Sequence, residues 1–439
     1  MSAPSVTLGL GAPAELPQAQ PGETVHDAAS DTIAMLVCHG MGQQVRFETL
    51  SAVADSICRA HGTAHDRTAT VTLRLLRASG NERLLPRAEI ALSEPGRTRT
   101  VHLYEAYWAP LTEGVIGYTQ TARFLLEAGL QGMVAAWHHR FDRWMFGGPK
   151  WLPVKRNTWL LLAGSLVVLA PLLVLAGLIV ATPTVVLPFL ARPWTPRLAL
   201  EVAAGLLALL VLWKLRSFIV QYLGDVAIYV SSNQVNAYAK VREEIKQVGA
   251  TVASAMYGAV EGDAALGRRF AYQKVVVVGH SLGSVLAYDT LNAMLNQDQL
   301  EHGERKVRER TDALITLGSP LDKTAFLFRQ HVRDGAIREV LAAAVQPLIQ
   351  DYGQRPPWWI NVFCRTDLIS GCLEYYDDPK EPTQPKRVRN FADALVANPV
   401  AAHTDYWKRR LGRTAIYMAA TGRLTLLLRE FGSGEGTCG

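Results

Sequence analysis

Cysteine is scarce: five in 439 residues, namely Cys38, Cys58, Cys364, Cys372 and Cys438. The number is odd and no pair has metal-ligand spacing. This argues against a disulfide framework and against a zinc module, and all five read as reduced thiols. No glycine-rich loop ends in Lys-Ser or Lys-Thr, so no phosphate cradle is expected, and no cofactor or metal motif is present. Lys and Arg (45) exceed Asp and Glu (39), a net charge of +6, yet the basic residues form no long block and accompany no nucleic-acid motif. The anionic partner that remains is a membrane surface. The N-terminus lacks the basic and apolar regions of a signal peptide. Residues 1–28, rich in Ala, Pro, Gln and Gly, read as a disordered tail.

Charge is also missing from one long interval. From Asn157 to Ala191 there is no charged side chain, and Trp159 to Ala181 is almost wholly Leu, Val, Ala and Gly. As a helix that stretch spans a bilayer core of about 30 Å. Pro171 is tolerable there. A second apolar run, Leu198 to Trp213, follows a short loop and reaches a full span if Lys214 and Arg216 snorkel outward. The expectation is a membrane hairpin at about 157–190 and 198–218, with a buried helix pair or a one-leaflet hairpin as the alternatives. Arg140, Arg143, Lys150, Lys155 and Arg156 precede it, whereas its loop carries only Arg192 and Arg197. That bias places both flanks on the cytoplasmic side of a two-span protein. Trp137, Phe141, Trp144, Met145, Phe146 and Trp151 interleave with the cations before the first span, as residues of the headgroup layer do; an amphipathic cap helix is the other reading.

What is present is concentrated at Val275-Val276-Val277-Val278-Gly279-His280-Ser281-Leu282-Gly283-Ser284. A buried-type strand runs into Gly-x-Ser-x-Gly and then into the helical pattern Leu282, Val285, Leu286. A serine hydroxyl attacks well when a sharp strand-to-helix turn lifts it from the backbone. Strand and helix then approach so closely that Gly279 and Gly283 must lack a β-carbon. Ser281 is therefore the expected nucleophile, with His280 lining the site. The helix N-terminus offers the Leu282 N–H to an oxyanion.

A second apolar run, Thr32 to Cys38, ends in His39-Gly40-Met41-Gly42-Gln43. Backbone N–H groups after such a strand can face developing charge beside glycines that admit a substrate. Met41 is the expected second donor, with His39, Gly40, Gly42 and Gln43 lining the site. His39 reads as a turn-stabilising residue, not a base. Leu314 to Leu317 runs into Gly318-Ser319, and Trp359 to Phe363 is another strand. Val71–Leu76, Val101–Trp108 and the helical stretch Val235–Tyr257 complete an alternation that indicates a mostly parallel sheet. Chain order behind such an elbow is serine, acid, histidine. Of the three later histidines, His302 and His331 stand among charges, so His403 is the expected base. Asp367 is the leading acid; Asp322, Asp377 and Asp378 are the others.

These residues resemble the α/β-hydrolase superfamily, particularly its lipase and phospholipase branches. Gly279-His280-Ser281-Leu282-Gly283-Ser284-Val285 with Tyr288-Asp289, and Gly224-Asp225-Val226 with Tyr229, are similar to DDHD-type intracellular phospholipases. The DDHD tetrad itself is absent, and His403-Thr404-Asp405-Tyr406-Trp407 stands near that end. The resemblance spans about 32–44 and 220–425 and implies an α/β-hydrolase fold; the expected division is two parts, 29–135 and 224–430, split by a collar and membrane hairpin over 136–223, with a flexible glycine-rich tail at 431–439. It implies a cofactor-free, metal-independent serine esterase with Ser281, Asp367 and His403 as its triad; the expected membrane hairpin makes a lipid, or another acyl ester, the expected substrate. The same parts suit a thioesterase, peptidase or acyltransferase, and some members of the superfamily are non-catalytic scaffolds.

Overall fold

The structure is a computed structural model describing residues 5–8, 13–26, 31–41, 44–65, 69–78, 84–112, 140–143, 150–153, 159, 195, 236–263, 267–323, 345–367, 369–378, 385–396 and 399–432. In chain order, β1 (Ser5–Leu8), β2 (Ala14–Leu16) and β3 (Ile33–Cys38) lead into α1 (Glu48–His65). β4 (Thr70–Ala78), β5 (Leu84–Glu94) and β6 (Arg97–Ala106) follow, then the short strands β7 (Arg140–Arg143) and β8 (Lys150–Pro153). The second half begins with α2 (Asn236–Tyr257), β9 (Val260–Glu261), β10 (Arg269–Phe270), β11 (Lys274–His280) and α3 (Leu282–Leu300). It ends with β12 (Thr311–Leu317), β13 (Trp358–Cys364), β14 (Val388–Asp393), α4 (Pro399–Thr404), α5 (Arg410–Ala420) and α6 (Leu424–Phe431).

The fold is α/β, with a ten-stranded, mostly parallel sheet flanked by helices. Its order is β1-β4-β5-β6-β3-β11-β12-β13-β14, with β2 also on β4. β5 pairs antiparallel with β4 and β6, and every other pairing in this sheet is parallel. Parallel strands need cover on both faces, which explains the unbroken apolar runs of β3 and β11. Alternate residues divide between two cores. Ala34, Leu36, Val275 and Val277 pack with α2 and α3, while Met35, Val37, Val276 and Val278 pack with α1, α5 and α6.

β3 and β11 are neighbours, in register from Ile33 opposite Lys274 to Cys38 opposite Gly279. After β3 the chain builds β4 to β6 on one side; after β11 it builds β12 to β14 on the other. The carboxyl ends of β3 and β11 thus mark a switch point, where open sheets of this kind form a ligand crevice. Segments from both sides of the long apolar interval contribute to this one sheet.

Some expectations fail here. The first 28 residues are not a disordered tail over their described part: β1 and β2 extend the sheet, and Leu16 is buried. Gln18 also bridges to Ala259, its Nε2 donating to the Ala255 carbonyl at 3.1 Å. A Pro-rich composition signals extended backbone as readily as disorder, and β4 had an open edge to receive it. Within the expected collar, Arg140–Arg143 pairs antiparallel with Lys150–Pro153, so a cap helix does not hold there. Gly147, Gly148 and Pro149 between them oppose a helix. Cys38, Cys58 and Cys364 are free and buried, but Cys372 is disulfide-bonded, a pairing that cysteine spacing did not reveal. The expected membrane hairpin lies outside the described residues apart from Trp159 and Thr195, as do Gly224, Asp225, Val226, Tyr229, His331 and 433–439. Among the described residues no helix is long and apolar enough to cross a membrane.

Backbone meets backbone closely where α3 leaves β11. A β-carbon on Gly283 would lie 2.2 Å from the His39 carbonyl oxygen and 2.3 Å from that of Cys38; one on Gly279 would lie 2.4 Å from the Ser284 Cα. These are backbone atoms and cannot swing aside. Gly283→Ala is expected to destabilise the protein by about 3 kcal/mol or more. A thermal melt of wild type against the variant checks this; an unchanged midpoint would mean that α3 can move off β3.

Candidate active site at the carboxyl ends of the strands

Ser281 sits between β11 and α3 with φ 52° and ψ −131°, a left-handed conformation that a serine rarely adopts. Its N–H donates to the Leu317 carbonyl at 2.9 Å, tying the turn to β12. Ser284 Oγ donates to the Ser281 carbonyl at 2.6 Å and lies 2.7 Å from Ser319 Oγ. With its one proton already donated, Ser284 accepts from Ser319. Strain at a single residue persists when its surroundings over-determine it, as they do here.

Three expected residues come together from distant stretches of chain. His403 Nε2 is 2.8 Å from Ser281 Oγ, and His403 Nδ1 is 2.9 Å from Asp367 Oδ2. Asp367 follows β13 and is fully buried; His403 lies in α4, its side chain 12% exposed. Burial alone would raise the Asp367 pKa. The hydrogen bond and charge of His403, the Ile369 N–H and the Tyr406 hydroxyl outweigh it and hold the carboxyl well below the usual carboxylate range. An ionised Asp367 only accepts, so Nδ1 carries the proton and Nε2 is left to accept from Ser281.

The β3 turn closes the site from the other side. A β-carbon on Gly40 would lie 2.9 Å from the Ser281 Cβ, so Gly40 is the close approach that lets this turn reach the elbow. Met41 is buried beside it. Among the described residues, neither the Met41 N–H nor the Leu282 N–H has a hydrogen-bond acceptor. Gly42 and Gln43 lie outside the described residues.

The neighbouring residues divide into lining and support. His39 is fully buried and stacks on Trp108 with ring centroids 4.8 Å apart. The Trp108 N–H donates to its Nε2 at 3.0 Å, so Nδ1 carries the proton and donates to the Gly40 carbonyl at 2.8 Å. With both ring nitrogens engaged, His39 stabilises the turn and is no base. His280 Nε2 donates to the His403 carbonyl at 2.9 Å. Gly318, at φ 59°, lets its strand end pass over the Tyr406 ring, where a β-carbon would lie 2.5 Å from Cε2. Ser319 is fully buried and props the elbow from beneath; it does not line an open surface.

The other acid candidates are engaged elsewhere. Asp322 pairs with Lys323 at 3.2 Å, and Asp377 pairs with the fully buried Arg355 at 2.7 Å. Asp378 donates its N–H to the Tyr352 hydroxyl at 2.5 Å. His302 occupies a turn at φ 57° just beyond α3, away from the carboxyl ends of the strands. Sequence reasoning gave no role to Ser284, Trp108 or Tyr406. For Tyr406 a signal existed, since it stands three residues after His403. No protein-family model, curated protein or solved structure matches the chain.

Among the described residues, three histidines have lowered pKa values. Burial, with the charge of His403 also contributing at His280, brings His39 and His280 to about 4, and burial beside Arg87 brings His102 to about 3. Unfolded, each titrates near 6.5. Between about pH 6.5 and 4 the unfolded chain binds more protons, so stability falls as pH falls through that window. Asp367 acts lower: its depressed pKa stabilises above the unfolded carboxylate value of about 3.9, and that contribution is lost below it. The melting temperature is expected to drop steadily from pH 7 to 4.5, and His39→Gln should flatten that slope. Parallel slopes for variant and wild type would contradict it.

Proposed function

We propose that this protein is a serine hydrolase of the α/β-hydrolase fold that cleaves carboxylic esters. The observation that carries the reading is the chain of contacts Ser281–His403–Asp367, at 2.8 and 2.9 Å, on a strained serine behind a parallel strand. The residues follow the order serine, acid, histidine, and each stands after a strand of one sheet.

The chemistry follows from the proton arrangement. Ser281 Oγ attacks the acyl carbon as its proton passes to His403 Nε2. The carbonyl electron pair moves to oxygen, where the N–H groups of Met41 and Leu282 are the proposed donors. Asp367 holds the Nδ1 tautomer and stabilises the imidazolium without taking its proton. The carbonyl re-forms, the alcohol leaves with the proton from Nε2, and an acyl-serine remains. Water then gives a proton to Nε2 as it attacks; collapse returns the proton to Ser281 Oγ and releases the acid. None of these steps uses a metal or cofactor.

The substrate class proposed is an acyl ester of a membrane lipid, and the location proposed is a membrane, with the hydrolase domain on the cytoplasmic side. Both rest on the charge-free, apolar interval that begins at Asn157 and on the aromatic and basic residues before it.

Full-length wild type and Ser281→Ala in mixed micelles, assayed on phospholipids, neutral glycerides and short p-nitrophenyl esters, test this. Wild type is expected to release fatty acid from a lipid and to react with a fluorophosphonate probe. Ser281→Ala should lose the labelling and at least about 10³-fold in rate. Turnover of short esters alone would move the substrate to soluble esters or thioesters. Equal behaviour of the two proteins throughout would contradict the hydrolase reading.

A further inference from the structure

Tyr406 belongs to the segment His403-Thr404-Asp405-Tyr406-Trp407, and the mechanism above does not use it. Its side chain is fully buried, and its hydroxyl makes three contacts. It lies 2.8 Å from Asp367 Oδ2, 2.9 Å from the Cys364 backbone nitrogen and 3.0 Å from Ser370 Oγ. The proton assignment is determined. The ionised carboxylate and the Cys364 N–H leave one possibility at each: the phenol accepts from Cys364 and donates to Asp367. Its remaining lone pair accepts from Ser370 Oγ–H. Asp367 Oδ2 is thereby shared between His403 and Tyr406, while Oδ1 accepts from the N–H groups of Ile369 at 2.9 Å and Ser370 at 3.2 Å.

We propose that Tyr406 is a fourth, positioning member of this site: its hydroxyl proton fixes Asp367 Oδ2 against His403 and limits how strongly that carboxylate draws the imidazole proton. The consequence for turnover rests on the hydrolase reading; the effect on the imidazole does not. A donor that shares the carboxylate oxygen spreads its charge. Removing it leaves Asp367 more basic, so a protonated His403 is held more firmly and the imidazole titrates at higher pH. Other titratable or charged groups also face the cluster. His280 packs on His403 with ring centroids 5.4 Å apart, and the Arg409 guanidinium lies 4.1 Å from the Tyr406 ring centroid. Arg409 is ion-paired with Asp393 at 2.9 Å, and Lys323 Nζ donates to the Ser370 carbonyl at 3.0 Å. None of them is bonded to the phenol oxygen that Tyr406→Phe removes.

The test is the low-field proton resonance of His403 Nδ1–H in the full-length protein, assigned by its loss in His403→Gln and followed against pH. In Tyr406→Phe its titration midpoint is expected to rise by about half to one pH unit. The acid limb of kcat/KM should move upward with it. An unchanged midpoint in a variant with the wild-type near-ultraviolet circular dichroism would overturn the proposal and leave Tyr406 as packing. If Tyr406→Phe does not fold, Ser370→Ala removes one donor to the phenol oxygen and is expected to shift the same midpoint by a smaller amount; no shift there would also overturn it. Loss of all Ser281-dependent turnover in wild type would refute the hydrolase reading alone, because the resonance is read without substrate.

Discussion

Backbone-to-backbone contact between the start of α3 and the end of β3 is the constraint on which the site depends. Gly283 lies against the carbonyls of Cys38 and His39, and Gly40 lies against Ser281. No side chain fits in either gap. The contact forces Ser281 into its left-handed conformation, because the chain must turn from strand to helix within one residue. It also brings the Met41 turn beside the serine. Were α3 displaced by the thickness of one methyl group, the 2.8 Å contact between Ser281 and His403 would open.

Around that contact the interior is polar, and its carboxylate is matched by donors. Asp367 has no solvent exposure, yet at least four donors reach its two oxygens. A buried carboxylate without them would take up a proton. His39 and His280 show the opposite solution: burial keeps them neutral, so no added charge competes with His403. The buried pair Asp322 with Lys323 is tied through Lys323 Nζ to the Ser370 carbonyl, which steadies the loop after Asp367. One sheet end therefore carries a fixed anion, an imidazole in a single tautomer and a strained hydroxyl, the combination on which the proposed ester hydrolysis draws.

Much of this was legible in the chain. The four valines before Gly279, the run from Thr32 to Cys38 and the strands at Leu314 and Trp359 are apolar on successive residues, which reads as strands covered on both faces. Glycine spacing around Ser281 identified the elbow, because only a turn this tight needs two glycines in those places. Strands with weaker signals escaped. β5 carries Arg87 and Glu89 among its apolar residues, β14 carries Arg389 and Asn390, and β1 and β2 lie in a Pro-rich stretch. Ser319 was read as lining and proved to be a buried prop, since a sequence does not say which way a residue after a strand points.

The sequence by itself determined the alternation of strands and helices, the elbow, and a short set of residues able to act as acid and base. Those are local properties, written in periodicity and in the need for glycine. Which acid meets which histidine was decided only by tertiary structure. Asp367, Asp322, Asp377 and Asp378 are equivalent as residue types. Strand order places the first beside His403 at 2.9 Å, while Lys323 and Arg355 engage Asp322 and Asp377 elsewhere. The same holds for Tyr406, whose link to Asp367 spans 39 residues of chain and exists because β13 and the turn after α4 end at the same edge of the sheet. Hydrogen bonds act over about 3 Å, and distances that short between remote residues arise only when the whole sheet is assembled.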